Sequence, residues 1–272
     1  MPGMIGEMGV RTRWRRRALE ARAGYRELRA VVEQKVAPVE PELGLVSRLA
    51  DGRGAFLDVG ANRGYYALTA VPHFPRVVAV EANPDLAAGL RETFGRAVDV
   101  RECALSDSAG ETTMWIPTSN GRDLDFRGSL QESANPGFDQ RRITVRTTRV
   151  DDLGITRLAA MKIDVEGHEL TVLHGAEQTL RATRPSVILE SEERHNAGGV
   201  DAVLALLAGH GYDGWFWHRG RLRPVADFSL AEHQDAGAAK PVGAPKSEDY
   251  VNNFLFVPSE RGLPQGLAAA RG

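Results

Sequence analysis

Between Ala55 and Leu105 the chain alternates short, unbroken apolar runs with helix-forming segments, and this alternation constrains the fold more than any other feature. Ala55–Gly60 (AFLDVG) reads as a strand and Tyr65–Val71 as a helix. Arg76–Ala82 (RVVAVEA) reads as the next strand, Asp85–Phe94 as a helix with Pro84 in its first turn, and Val98–Ala104 as a third strand. Val77-Val78-Ala79-Val80 shows no polar alternation, as a strand buried on both faces requires. The order β-α-β-α-β with such strands predicts an α/β fold built on a mostly parallel sheet with helices on both faces.

The second half resumes the pattern. Ala159–Val165 is expected as a strand, His168–Ala182 as a helix, Ser186–Glu190 as a strand and Val200–Ala208 as a helix. Gly214–His218 and Val251–Val257 follow as strands. Glu111–Pro117 and Ile143–Val150 alternate in polarity and flank a polar stretch, Thr118–Arg142. Ala226–Asp249 is a second loose stretch, rich in Ala, Gly and Pro. Long loops of this kind are commonly functional. Three regions are expected: a basic, partly helical N-terminal extension (residues 1–50), one domain (51–260) and a C-terminal tail (261–272). The extension offers a helix over Ala18–Val36, with Leu19, Ala23, Leu28 and Val31 available for one face, and an arginine cluster over Arg11–Arg17.

Composition narrows the partners. A net charge of -2 over 272 residues makes the chain as a whole no polyanion binder, so nucleic acid is not expected. The arginine cluster is read as a solvated arm. One cysteine, Cys103, excludes an intrachain disulfide and a cysteine-rich metal site. No uninterrupted apolar run reaches the length of a membrane span, and no apolar stretch follows the N-terminal arginines as a secretory signal requires. The expected location is the cytoplasm, and homo-oligomerisation is left open.

In open α/β sheets, ligands sit beyond the carboxyl ends of the strands. The first strand ends Asp58-Val59-Gly60, and its turn runs Ala61-Asn62-Arg63-Gly64. Gly60 and Gly64 tolerate positive φ and close approach of a ligand, and Asn62 accepts left-handed geometry better than most residues. A dinucleotide fingerprint needs G-x-G-x-x-G, whereas Gly60 opens G-A-N-R-G-Y. Phosphate cradling is therefore disfavoured. Asp58 is an anion suited to an amino group or a sulfonium, and Glu81, closing the second strand, can accept two hydrogen bonds from a ribose diol.

Phe56–Tyr66 (FLDVGANRGYY), Val80–Pro84 (VEANP), Cys103–Asp107 (CALSD), Arg149–Leu153 (RVDDL) and Met161–Glu169 (MKIDVEGHE) together resemble the FkbM family of methyltransferases. The most diagnostic piece, Lys162-Ile163-Asp164-Val165-Glu166-Gly167, is followed by Glu169 and by His174-Gly175-Ala176. The resemblance implies a Rossmann-like class I methyltransferase fold with a reversed final strand, and S-adenosylmethionine as methyl donor. It implies that Asp58, Gly60, Asn62, Gly64 and Tyr66 surround the methionine part of that cofactor. Glu81 would hold the ribose with Ala82 and Asn83 at its edge, while Cys103, Ala104 and Leu105 flank adenine. Residues 1–50 and 226–249 match no pattern of the family.

The strand ending in Asp164 and Glu166 should neighbour the first strand. If it persists that far, Lys162, Asp164 and Glu166 face one way. Methyl transfer is an in-line displacement governed largely by positioning, and an alcohol acceptor also needs a base within hydrogen-bond reach. His168 is the first candidate by intrinsic acidity, with Asp164, Glu166 and His195 beside it. Glu166 has an equal claim as a helix-terminal charge. Lys162 should pair with Asp58 or Glu190, since unpaired buried charge is costly. Asp164, Glu190 and Glu192 have the oxygens for Mg²⁺, but no compact ligand motif supports a metal. Ser129, Asn135 and Arg122 are candidate acceptor contacts, and Trp215, Phe216 and Trp217 read as strand packing. The expected function is O-methylation of a hydroxyl on a sugar or secondary metabolite. The alternatives are N- or carboxylate-methylation of a peptide or small molecule and, more remotely, nicotinamide-dependent redox chemistry.

Overall fold

A computed structural model describes residues 18–37, 40–124, 128–135, 137–235, 249–264 and 267. The Arg11–Arg17 cluster, most of the tail and much of the Ala226–Asp249 stretch lie outside them. The first strands and helices fall where the apolar runs predict: β1 (Ala55–Val59), α1 (Tyr65–Ala70), β2 (Val77–Glu81), α2 (Pro84–Phe94) and β3 (Asp99–Glu102). Later come β8 (Leu158–Ile163), β9 (Ser186–Glu190), the helix α5 (Gly199–Gly209), β10 (Tyr212–His218), β11 (Arg221–Pro224) and β12 (Asn253–Pro258).

These strands form one eight-stranded sheet in the order β11-β10-β12-β9-β8-β1-β2-β3. From β3 to β9 all neighbours are parallel, while β12 enters antiparallel between β9 and β10. This is the arrangement that the resemblance implies, reversed strand included. The α/β class follows directly from the apolar strands. Phe56 packs into the core on one face and Leu57 and Val59 into the core on the other, so both faces of β1 are dry.

Two expectations shift. The third strand stops at Glu102; Cys103 turns the chain, and β4 (Ala104–Leu105) joins a second sheet, β4-β7-β5-β6. That sheet is built on the hairpin of β5 (Gly110–Ser119) and β7 (Asp139–Thr148), with β6 (Arg122–Asp123) at its edge. The helix expected over His168–Ala182 is broken into α3 (Glu169–His174) and α4 (Glu177–Thr183). A Cβ on Gly175 would meet the Ser106 carbonyl oxygen at 2.0 Å, so the chain bends there around β4's exit.

The described part of the N-terminal extension packs against the domain. A helix over Ala23–Val31, a π turn over Val32–Val36 and a short helix over Leu43–Val46 bury Leu19, Tyr25, Val32, Val36, Leu43, Leu45 and Val46 in one core with Phe56 and Phe94. The Arg22 guanidinium donates to the Glu92 and Thr93 carbonyls at the end of α2, where helix-terminal oxygens need partners. Among the described residues no helix is long and apolar enough to cross a membrane.

Candidate active site

A cleft opens at the carboxyl ends of β1, β2 and β8, where the second sheet folds over the first; about 630 Å³ of space, open solvent at its mouth included, lies between its walls. Gly60 and Asn62 form its edge on the β1 turn. Asn62 has φ +50°, Gly60 +73° and Gly64 +84°, so the left-handed turn expected from these residue types is present. A Cβ at Gly60 would lie 1.9 Å from the Asp164 carbonyl oxygen, which explains why this crossing of two loops needs glycine.

Glu81 stands at the back of the cleft, buried. Its Oε2 accepts from the Asn62 backbone N–H (2.7 Å) and its Oε1 from that of Asn83 (2.8 Å). One carboxylate thus ties the β1 and β2 turns together. Ala82, Leu86, Cys103, Ala104 and Leu105 continue the wall, and Met114 and Leu130 close it from the second sheet.

Asp58, Gly64, Tyr66 and Asn83 sit one layer behind. The Asp58 carboxylate, on the face of β1 away from Val59, accepts the Ala67 N–H (2.9 Å) in the first turn of α1. Burial pushes its pKa up to about 7, against the lowering pull of that bond and of Lys162. Gly64 lets α1 approach Phe94 and Leu90. Asn83 caps α2 by accepting the Asp85 N–H (3.0 Å).

The acceptor-side expectations change in geometry. β8 ends at Ile163, so Asp164 and Glu166 do not continue a strand face. Glu166 instead has φ +52° and Gly167 φ +102°, a turn whose N–H groups converge on a buried carboxylate absent from the candidate set. Glu169 accepts from Gly167 (2.9 Å) and Val165 (3.4 Å), and burial raises its pKa to about 7. Its position just after an N-cap was the available signal. Asp164, Glu166 and His168 line the cleft. His168 Nε2 lies 3.1 Å from Ser106 Oγ, and burial lowers its pKa.

Lys162 is 1% exposed; its Nζ donates to Asn253 Oδ1 (3.0 Å), lies 3.8 Å from Glu190 and 3.9 Å from Asp164, and sits over the Tyr66 ring. Of the two expected partners, Glu190 is the one in ion-pair reach. Asp58 is its register neighbour, and the ammonium acts on it only through the charge that opposes the upward shift of its pKa. Glu192 is buried and held by Arg194 (2.5 and 2.9 Å) and Tyr250 (2.6 Å). Despite the cost of burial, His195, Arg194 and Tyr250 keep its carboxyl far below the usual range. Asp164, Glu190 and Glu192 are thus engaged by Lys162, Asn252, Arg194 and Tyr250, and among the described residues no group of three or more His, Cys, Asp or Glu has metal-ligating geometry. Ser129 Oγ donates to the Glu166 carbonyl (2.6 Å); Asn135 is buried and Arg122 exposed. Trp215 and Phe216 are core residues of β10.

Comparison with known proteins agrees with this architecture. Residues 58–213 match the methyltransferase FkbM domain. The 2-O-methyltransferase NoeI of Sinorhizobium fredii is 28% identical over 58% of this chain and 72% of its own. The 31-O-demethyl-FK506 methyltransferase FkbM of Streptomyces tacrolimicus is 32% identical over 57% of this chain and 71% of its own. The AMB antimetabolite synthetase AmbE of Pseudomonas aeruginosa is 27% identical over 79% of this chain, which spans only 13% of that protein's length. The domain match covers more than half of the sequence and spans the glycine turn, the acidic end of β2 and the Lys162–Gly167 segment, and the chain belongs to the FkbM family of methyltransferases.

Proposed function

We propose that the chain is an S-adenosylmethionine-dependent O-methyltransferase acting on a hydroxyl of a sugar or secondary metabolite. The charge of the cleft carries the donor assignment. Glu81, Asp164 and Glu166 line it, and among the described residues no lysine or arginine does. Such a cleft attracts a sulfonium cation and repels the pyrophosphate of a nicotinamide dinucleotide, whose glycine fingerprint is also absent. The residues fit the donor. Glu81 offers carboxylate oxygens to a ribose diol, Ala82, Cys103, Ala104 and Leu105 form a wall for adenine, and Gly60 and Asn62 border the methionine part. Asp58, Gly64, Tyr66 and Asn83 act by shaping the loops. When bound, S-adenosylmethionine supplies a methyl carbon activated by its positive sulfur.

The acceptor is placed beside Asp164 and Glu166. The Glu166 carboxylate is the group that would take the acceptor's hydroxyl proton and release it to water, while the S–CH₃ bond broken in the donor would leave its electron pair on sulfur, giving S-adenosylhomocysteine. His168 is half-buried and tied to Ser106, so it serves the wall. Oxygen as the methylated atom is supported by the names of two relatives, both O-methyltransferases. A carboxylate acceptor would meet two like charges at the cleft's lip. Calorimetric titration with S-adenosylhomocysteine tests the donor, and labelled methyl transfer to a panel of hydroxyl compounds tests the acceptor. Well-folded protein that binds no S-adenosylhomocysteine overturns the reading.

A further inference from the structure

His195 was a candidate base, but its surroundings give it another task. Its side chain is only 3% exposed and it does not line the cleft, so no acceptor reaches it. Nδ1 lies 3.0 Å from the Ala134 carbonyl oxygen, a group that only accepts. Nε2 lies 3.0 Å from Glu166 Oε2 and 3.7 Å from Glu192 Oε1. A neutral imidazole has one N–H. If Nδ1 uses it on Ala134, a neutral ring would turn a lone pair toward two carboxylates.

We propose that His195 is a positioning residue, a buried imidazolium that fixes the ionised Glu166 carboxylate on the cleft wall and anchors the loop around Ala134. This rests on the methyltransferase reading for its purpose, since Glu166 is the base assigned above.

The charged groups facing the ring come from every side. Glu166 approaches from the β8–α3 loop, Glu169 from the start of α3, Glu192 and Arg194 from its own segment, and the Ala134 carbonyl from the loop between the second sheet's strands. Burial lowers the ring's pKa, yet the neighbouring Glu192 and Glu166 carboxylates outweigh it, and the net direction is upward. Steric fit agrees: a Cβ on Gly167 would stand 3.1 Å from His195 Cβ, so the β8–α3 turn packs directly on this residue. Glu166 is then held at both ends, by His195 at its carboxylate and by Ser129 at its carbonyl. His195 supplies charge and geometry, and Glu166, 22% exposed, faces the acceptor.

The test is nitrogen-15 NMR of the full chain labelled at histidine, with His195 assigned through His195→Gln. Both ring nitrogens should be protonated at neutral pH. Glu166→Gln should lower the ring's titration midpoint by about one pH unit or more. A neutral ring at neutral pH, or a midpoint unmoved by Glu166→Gln, overturns the proposal. If His195→Gln does not fold, the histidine resonance that moves in Glu166→Gln identifies the same ring, and the absence of any such resonance counts against the proposal. Calorimetry with S-adenosylhomocysteine on the parent separates the two readings. Loss of donor binding with an imidazolium at His195 removes the donor assignment alone, whereas donor binding with a neutral ring removes this one alone.

Discussion

Replacing Glu81 with glutamine keeps the size of the side chain and one acceptor oxygen. It removes the charge and turns an NH₂ group toward the backbone N–H of Asn62 or Asn83, donor against donor, where the carboxylate now accepts at 2.7 and 2.8 Å. The same change removes one of the two oxygens available to a ribose diol. A hydrogen bond to a charged group contributes about 1.5–3 kcal/mol. Since about 1.4 kcal/mol is tenfold in affinity, S-adenosylhomocysteine should bind Glu81→Gln about 10–100-fold more weakly. Isothermal calorimetry at neutral pH measures this directly, with urea unfolding to confirm that the variant is folded. Glu102→Gln is the control, because Glu102 closes the adjacent strand β3 but pairs with Arg91 outside this cleft. Folded Glu81→Gln binding within about threefold of the parent would refute the ribose assignment.

Gly60→Ala combines left-handed backbone with a 1.9 Å clash and should cost about 2–5 kcal/mol in urea unfolding. Gly220→Ala, at φ +75° with nothing within 4 Å, should cost only about 1–2 kcal/mol, and equal losses would refute the steric argument. Tyr25→Ala removes a ring that is 4% exposed and edge-on to Phe94, and should cost about 3–5 kcal/mol; a negligible loss would show the N-terminal helix to be dispensable. Asp58, with its folded pKa raised to about 7, holds its proton more tightly folded than unfolded. Its contribution to stability therefore falls as pH rises from the ordinary aspartate value toward 7. Asp58→Asn lacks that loss, so its stability relative to the parent should improve by roughly 2 kcal/mol between mildly acidic and neutral pH. A difference that does not change with pH would refute the burial argument.

The strands of the main sheet were legible because burial on both faces demands unbroken apolar runs, and VVAV and SVILE are such runs. The glycine turn and Glu81 were legible because backbone conformation and a strand-end acid leave local marks. What escaped depends on distant contacts. The break between α3 and α4 arises where Gly175 meets the Ser106 carbonyl, a contact between segments far apart in sequence. The strand alternation assumed for Lys162, Asp164 and Glu166 failed because the chain turns at Glu166, and only the following Gly167 hinted at it. In the N-terminal helix the expected face included Val31, which is exposed, while Tyr25, Val32 and Val36 are buried. The π turn at Val32–Val36 rotates the apolar face away from simple helical spacing. His195 and Glu192 could be named as base and acid, but that both are buried away from solvent is decided by Arg194, Tyr250 and the Ala134 loop.

The insertion of β12 between β9 and β10 has a consequence for how the chain must assemble. During synthesis β9 is finished long before its outer neighbour exists, because β12 is the last described strand. From Ser191 to Asn252 the growing polypeptide carries β9 with one row of backbone donors and acceptors unfilled, joined after His218 by β10 with its inner edge equally bare. Unpaired edges of this kind invite pairing with other chains. A ribosome pausing within that interval would leave an aggregation-prone nascent chain, and completion of Asn253–Pro258 would zip both edges shut at once.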